Sequence, residues 1–231
     1  MWYPSLIKAL FAVCAPFSPP SAQKKFKHPG EILPNFGYQL QFAGDEVENG
    51  VKSAEDVRKF LNGMYGWGGK EGVRLMAVEK GFDISRMKQV DVGTSPIVTE
   101  NEMDHYVSEY MKHEKNPMHG PLNWYRVHEL NFNDEKEAGW GNQWREGKTK
   151  FEFPTLAIVG KKDAALPPAM SEGMENWFAK GNVKGGLTRT IVEANHWALW
   201  TNADEVNGLV ANWLETEFDV KRTQRLSSPR L

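Results

Sequence analysis

Apolar and polar positions fall into distinct blocks along this chain, and the sharpest blocks lie in its last third. Phe153–Gly160 and Leu187–Glu193 are apolar, partly β-branched runs of strand length. A helical pattern follows each of them, over about 168–179 and about 203–217. This β-α-β-α order predicts an α/β fold with parallel strands and helical crossovers. Val206, Leu209, Val210, Trp213 and Leu214 make the apolar stripe of the last helix, and Asp204 and Glu205 lie at its positive start. A third, buried strand is predicted over Ile7–Cys14, after a helix end at Met1–Leu6 and before the strand exit at Pro16, Pro19 and Pro20.

The middle of the chain reads as helical. Residues 18–37 are a proline-rich connection, and Tyr38–Phe42 is a short element of undecided type. Ser53 caps a helix with Val57, Phe60, Leu61 and Met64 on one face, stopped at Gly66-Trp67-Gly68-Gly69. Residues 66–95 are glycine-rich and weakly periodic. Thr99 and Glu102 form a capping box for a helix reaching about His113, with Met103, Tyr106, Val107 and Tyr110 on one stripe. Pro121 starts a helix that extends through Leu130. Asn131–Lys150 is polar and reads as a linker. The organisation is thus a remnant of a core at 1–17, a helical insertion with linkers at 18–150, strand–helix units at 151–218 and a basic, disordered tail at 219–231.

Composition narrows the function. A content of 40% hydrophobic and 12% aromatic residues suits a packed globule, and a net charge of −2 argues against nucleic-acid binding. The single cysteine, Cys14, has no partner for an internal disulfide and reads as a small buried residue. Lys8 followed by Ala9–Ala15 has the outline of a secretory signal, but Trp-Tyr-Pro near the start and the later prolines favour a core strand and hence a cytoplasmic protein. No apolar run is long enough to span a bilayer.

The candidate chemistry lies at the strand exits. Lys162-Asp163 follows one predicted strand and Asn195-His196-Trp197 follows the next. A carboxylate and an imidazole so placed meet at one sheet edge, as two thirds of a nucleophile–histidine–acid triad. No Gly-x-Ser/Asp/Cys-x-Gly elbow precedes them. Taken singly, His196 is equally a cap or surface residue, Asp163 a turn residue and Tyr125 a core tyrosine. Trp124, Trp197 and Leu166 either pack or line an apolar pocket. His105, His113, His119 and His128 lack a metal-ligand spacing, so no metal or organic cofactor is implied.

Together, Pro34-Asn35-Phe36-Gly37-Tyr38-Gln39-Leu40-Gln41-Phe42, Gly120-Pro121-Leu122-Asn123-Trp124-Tyr125-Arg126, Lys162-Asp163 and His196-Trp197 resemble the soluble epoxide hydrolases of the α/β-hydrolase superfamily, most of all fungal members. The resemblance covers roughly residues 1–217. It implies a partial α/β-hydrolase fold in which 18–150 is a helical cap. It also implies His196 as the base that activates water, Asp163 as its orienting acid and Tyr38 and Tyr125 as donors to the epoxide oxygen. The substrate would be a small apolar epoxide. The family's aspartate nucleophile and His-Gly-x-Pro turn lie before the segment matching Met1, so this chain resembles the C-terminal two thirds of such an enzyme. Rival readings are a haloalkane or haloacid dehalogenase, an ester hydrolase and a non-catalytic fragment or degenerate relative. A homodimer is left open.

Overall fold

A computed structural model describes residues 3–66, 74–113, 115–179 and 186–218, so the glycine-rich stop at 67–69 and the basic tail at 219–231 lie outside the described residues. Two compact units result: residues 1–19 with 143–231, and residues 20–142.

The first unit is built on a parallel sheet of three strands, β1 (Leu10–Val13), β4 (Thr155–Gly160) and β5 (Leu187–Val192), in the order β1-β4-β5. Residues Leu10↔Thr155 and Thr155↔Leu187 set the register. All six residues of the central strand β4 are buried, as expected when both faces of a parallel strand are covered. Leu156 and Ile158 point into a core shared with Val192, Ala194, Val206 and Trp213. The last helix, Ala203–Phe218, contributes Val206 and Trp213 fully and Leu209 and Val210 in part, whereas Leu214 is exposed. Phe17, Trp144, Phe151 and Phe178 form an aromatic cluster around a parallel bridge between Phe151 and Phe178.

Two sequence expectations fail in this unit. The strand predicted over Ile7–Cys14 is shorter and is not buried: Ile7, Leu10 and Phe11 are 41%, 42% and 50% exposed, because β1 is the sheet's edge. The helix predicted at 168–179 is two 3₁₀ turns, Pro168–Ser171 and Met174–Trp177, broken at Gly173, whose left-handed backbone (φ 76°) cannot continue a helix.

The second unit is mainly helical. Helices Gly37–Ala43, Ala54–Tyr65, Glu100–Met111 and His119–Arg126 surround a core that includes Phe42, Phe60, Phe82, Met103 and Leu122. Tyr38–Phe42 therefore belongs to a helix. The Ser53 hydroxyl accepts from the Asp56 amide at 3.1 Å, and Thr99 and Glu102 close the expected capping box. Within the poorly patterned 66–95 region, β2 (Met76–Ala77) and β3 (Gly81–Phe82) form a hairpin, followed by helix Ile84–Gln89. Buried Asn62 fixes the next loop by accepting from the Ser95 amide at 2.9 Å. Helix His119–Arg126 gives way at Val127 to a second helix, His128–Glu137, and helix Trp140–Arg145 follows. The linker expected over 131–150 is thus largely helical. It has no apolar stripe and buries single large residues, Phe132 and Trp144, which period-based reading cannot detect.

Among the described residues β1 pairs on one side only, with β4, and exposes Leu10 and Phe11, a template for edge-to-edge association. Sedimentation velocity of the isolated chain is expected to show self-association that Phe11→Lys reduces; a monodisperse wild-type monomer would contradict this. In the helical unit, His128 stacks edge-on to His28 at 5.2 Å, and burial, then the charge of His28, holds its pKa below the usual value. The unfolded chain therefore binds the extra proton first, and stability should fall as pH drops below about 6.5. Urea midpoints from about pH 7.5 to about 5.5 should show this slope, flattened in His128→Phe; an unchanged slope in that variant would assign it to other groups.

Candidate active site

The ends of β4 and β5 are joined beyond the strands themselves. Lys161 and Lys162 donate backbone N–H groups to the carbonyls of Val192 and Ala194, both at 2.9 Å. This extension carries the loop after β4 alongside the loop after β5. Gly160 is required at the crossing: a Cβ there would lie 2.9 Å from the carbonyl oxygens of both Ala194 and Asn195. Asp163 and His196, thirty-three residues apart, meet as a result, with Nδ1 of His196 2.8 Å from Oδ2 of Asp163.

The Asp163 carboxylate is fully buried and the His196 side chain 38% exposed. The second carboxylate oxygen, Oδ1, accepts from the backbone amides of Ala165 and Leu166 at 2.9 and 2.8 Å. Three hydrogen bonds thus compensate the burial of a charge that would otherwise be costly. They also orient Oδ2 toward the imidazole, so that Nδ1–H donates to the carboxylate and Nε2 is the ring nitrogen turned away from it. Trp197 stacks edge-on to His196 at 5.3 Å, and its amide donates to the Asn195 side chain at 2.8 Å. Leu166 is partly buried beside its own amide's contact with Asp163.

Beneath this pair lies Cys14, at the exit of β1. It is buried, and among the described residues it is the non-glycine residue with a left-handed backbone (φ 51°). Its thiol lies 3.6 Å from the Asn195 carbonyl. Burial, then the Asp163 charge, pushes its pKa up, so it is a neutral packing group and not a thiolate nucleophile.

In the helical unit, Tyr38 and Tyr125 come together from two helices, with ring centroids 5.9 Å apart, and both rings pack on Phe42. The Gln39 amide lies 3.4 Å from the Tyr38 hydroxyl. Burial, then Tyr38, Tyr110 and Tyr65, pushes the Tyr125 phenol well above its usual pKa. Tyr65 is pushed to about 12 by burial and by Tyr110 and Tyr106. These phenols stay protonated at neutral pH and so remain hydrogen-bond donors. Tyr65 was not singled out from sequence, although its place one turn after Leu61 on an apolar face was a usable signal. Trp124 lies on the far side of its helix from buried Leu122 and is 76% exposed.

Comparison with known proteins gives a consistent picture. No family model matches the chain. It is 41% identical over 221 residues to an epoxide hydrolase of Neurospora crassa, a match that covers 93% of this chain and 60% of the relative. It is 29% identical over 223 residues to bifunctional epoxide hydrolase 2 of Mus musculus, covering 94% of this chain and 36% of that protein. The chain therefore spans 60% and 36% of the lengths of these two curated relatives, less than two thirds of either. Among solved structures, epoxide hydrolase A of Mycobacterium thermoresistibile superposes with a TM-score of 0.58 at 20% identity, covering 93% of this chain and 63% of that one. A Vigna radiata epoxide hydrolase variant gives 0.61 at 18% identity, with 93% and 64% covered. At such identities the likeness is one of fold.

Removing the Asp163 side chain should strand the buried Ala165 amide, at about 1–3 kcal/mol, and the partly buried Leu166 amide as well. Asp163→Ala is thus expected to lower the urea midpoint clearly. Asp163→Asn should be milder but should move the His196 proton from Nδ1 to Nε2 in nitrogen-15 NMR spectra. An unmoved tautomer would mean that the 2.8 Å contact does not orient the ring.

Proposed function

We propose that this chain, a relative of the epoxide hydrolases with a partial α/β-hydrolase fold, carries the water-activating and oxygen-polarising groups of an enzyme that opens an epoxide to a vicinal diol through an aspartyl ester. The observation that carries this reading is the His196–Asp163 hydrogen bond at the exits of two parallel strands.

In the first step an aspartate nucleophile attacks one epoxide carbon, and the C–O bond breaks toward the oxygen. That aspartate would come from the part of the relatives' length that this chain does not span. An alkoxide is a poor leaving group, and Tyr38 and Tyr125 would donate hydrogen bonds that strengthen as charge develops on the oxygen. The raised pKa of the Tyr125 phenol keeps it protonated at neutral pH, which suits that role. In the second step Nε2 of His196 removes a proton from water as it attacks the ester carbonyl; the intermediate collapses to the carboxylate and the diol, whose two hydroxyls take up the water's two protons, one of them returned by the imidazolium. Asp163 stabilises the imidazolium formed on the way. Trp197, Leu166 and Trp124 would supply apolar surface to a small apolar epoxide, and water is the only co-reactant this chemistry needs. Residues 20–142 would act as the cap that brings the phenols to the substrate. Among the described residues, no helix is long and apolar enough to cross a membrane.

The test is diol formation from an aryl epoxide, by the chain alone and by a fusion placing the N-terminal part of the Neurospora crassa relative before residue 1. The chain alone should be inactive and the fusion active. In the fusion, Tyr125→Phe should lower kcat about ten- to a hundredfold, and the double Tyr38→Phe, Tyr125→Phe variant further still. Chloride release from a chloroalkane without diol formation, or rates indifferent to both tyrosines, would overturn the reading.

A further inference from the structure

The Gly120–Arg126 run ends in a residue to which the reaction assigns no part. Arg126 is a partly buried side chain whose guanidinium bonds in several directions at once. Its Nε donates to the Ala43 carbonyl at 3.3 Å and its Nη2 to the Gly44 carbonyl at 3.1 Å. Nη2 also meets Oε2 of Glu48 at 2.5 Å, and Nη1 reaches Oδ1 of Asn123 at 3.4 Å. Nδ1 of His119 lies 3.1 Å from Oε1 of Glu48 and 3.3 Å from Nη1 of Arg126, donating to the first or accepting from the second according to its tautomer. Glu48 is held below the usual carboxylate pKa, chiefly by the Arg126 hydrogen bond.

The placement of these contacts gives them meaning. Ala43 and Gly44 end helix Gly37–Ala43, where carbonyls lack helical partners and the helix dipole is negative. Tyr38 stands on that helix, and Tyr125 is the neighbour of Arg126 on the other. One planar cation therefore ties the end of the Tyr38 helix to the Tyr125 helix. The ring contact between the phenols, at 5.9 Å, is not a hydrogen bond and cannot hold two helices in register by itself. A lysine ammonium, a single point charge, could not reproduce the fork.

We propose that Arg126 is a positioning residue that sets the spacing of Tyr38 and Tyr125 by capping one phenol's helix from the other's. This rests on the reading of the two tyrosines as oxygen donors, and the experiment separates the two claims. The first arm uses the chain itself, with tyrosines isotopically labelled, and follows the NOE between the Tyr38 and Tyr125 rings. Arg126→Gln and Arg126→Lys should both weaken it at least about twofold, the lysine failing to rescue despite its charge. Arg58→Gln breaks another ion-pair cluster of the same unit, with Glu100 and Asp104, and should leave the ring contact intact even if it lowers the melting temperature equally. The second arm uses the fusion enzyme, where Arg126→Lys should lower kcat about ten- to a hundredfold with KM within about twofold. An inactive parent fusion would sink the functional reading and leave the first arm to decide on Arg126. Unchanged ring contacts in Arg126→Lys, or full rescue by lysine in both arms, would overturn the proposal.

Discussion

A buried negative charge organises the first unit of this protein. The Asp163 carboxylate has no exposure to water, and three N–H groups replace that water: two backbone amides from its own loop and the imidazole of His196. An uncompensated charge in that position would cost several kcal/mol, so the loop after β4 and the loop after β5 must arrive together. The ladder continuing past both strands and the missing side chain at Gly160 both serve that meeting. The same contacts that make the carboxylate tolerable also aim it at one imidazole nitrogen, so the stability of the loop and the orientation of the imidazole share one cause.

The helical unit poses the opposite problem. Its functional candidates are neutral hydroxyls, and their value as donors depends on staying protonated in apolar surroundings. Phe42 packs on both phenols, and the nearby Tyr65 and Tyr110 add bulk without adding charge. Polar connections lie around this apolar centre: Asn62 to the 95 loop, and Arg126 to the end of the Tyr38 helix. Burial keeps the Tyr125 phenol protonated, and the polar ties run around it.

What could be read from the sequence follows from what leaves a local mark. Strands β4 and β5 and the last helix were legible because their apolar runs are long and their caps conventional. Asp163 and His196 were legible because residues at adjacent strand exits converge whatever the intervening sequence does. The Ile7–Cys14 run was legible as a strand but not in its burial, because burial depends on pairing: Leu10–Val13 pairs with β4 and leaves Leu10 and Phe11 exposed. The helices over 131–145 were missed because single buried aromatics leave no stripe, and the two 3₁₀ turns after Pro167-Pro168 because one glycine's backbone angle broke the predicted helix. The Arg126 fork could not be foreseen, since its acceptors are backbone carbonyls some eighty residues away.

In the proposed reaction His196 and Asp163 serve as base and orienting acid and Tyr38 and Tyr125 as donors to the epoxide oxygen, together with a nucleophile from elsewhere in sequence. Intact-mass measurement of the His196→Gln fusion during exposure to an epoxide tests that division most directly. The expected result is one added substrate mass that persists, located on an aspartate outside residues 1–231. Continued diol formation without any adduct, or an adduct on a residue of this chain, would contradict it.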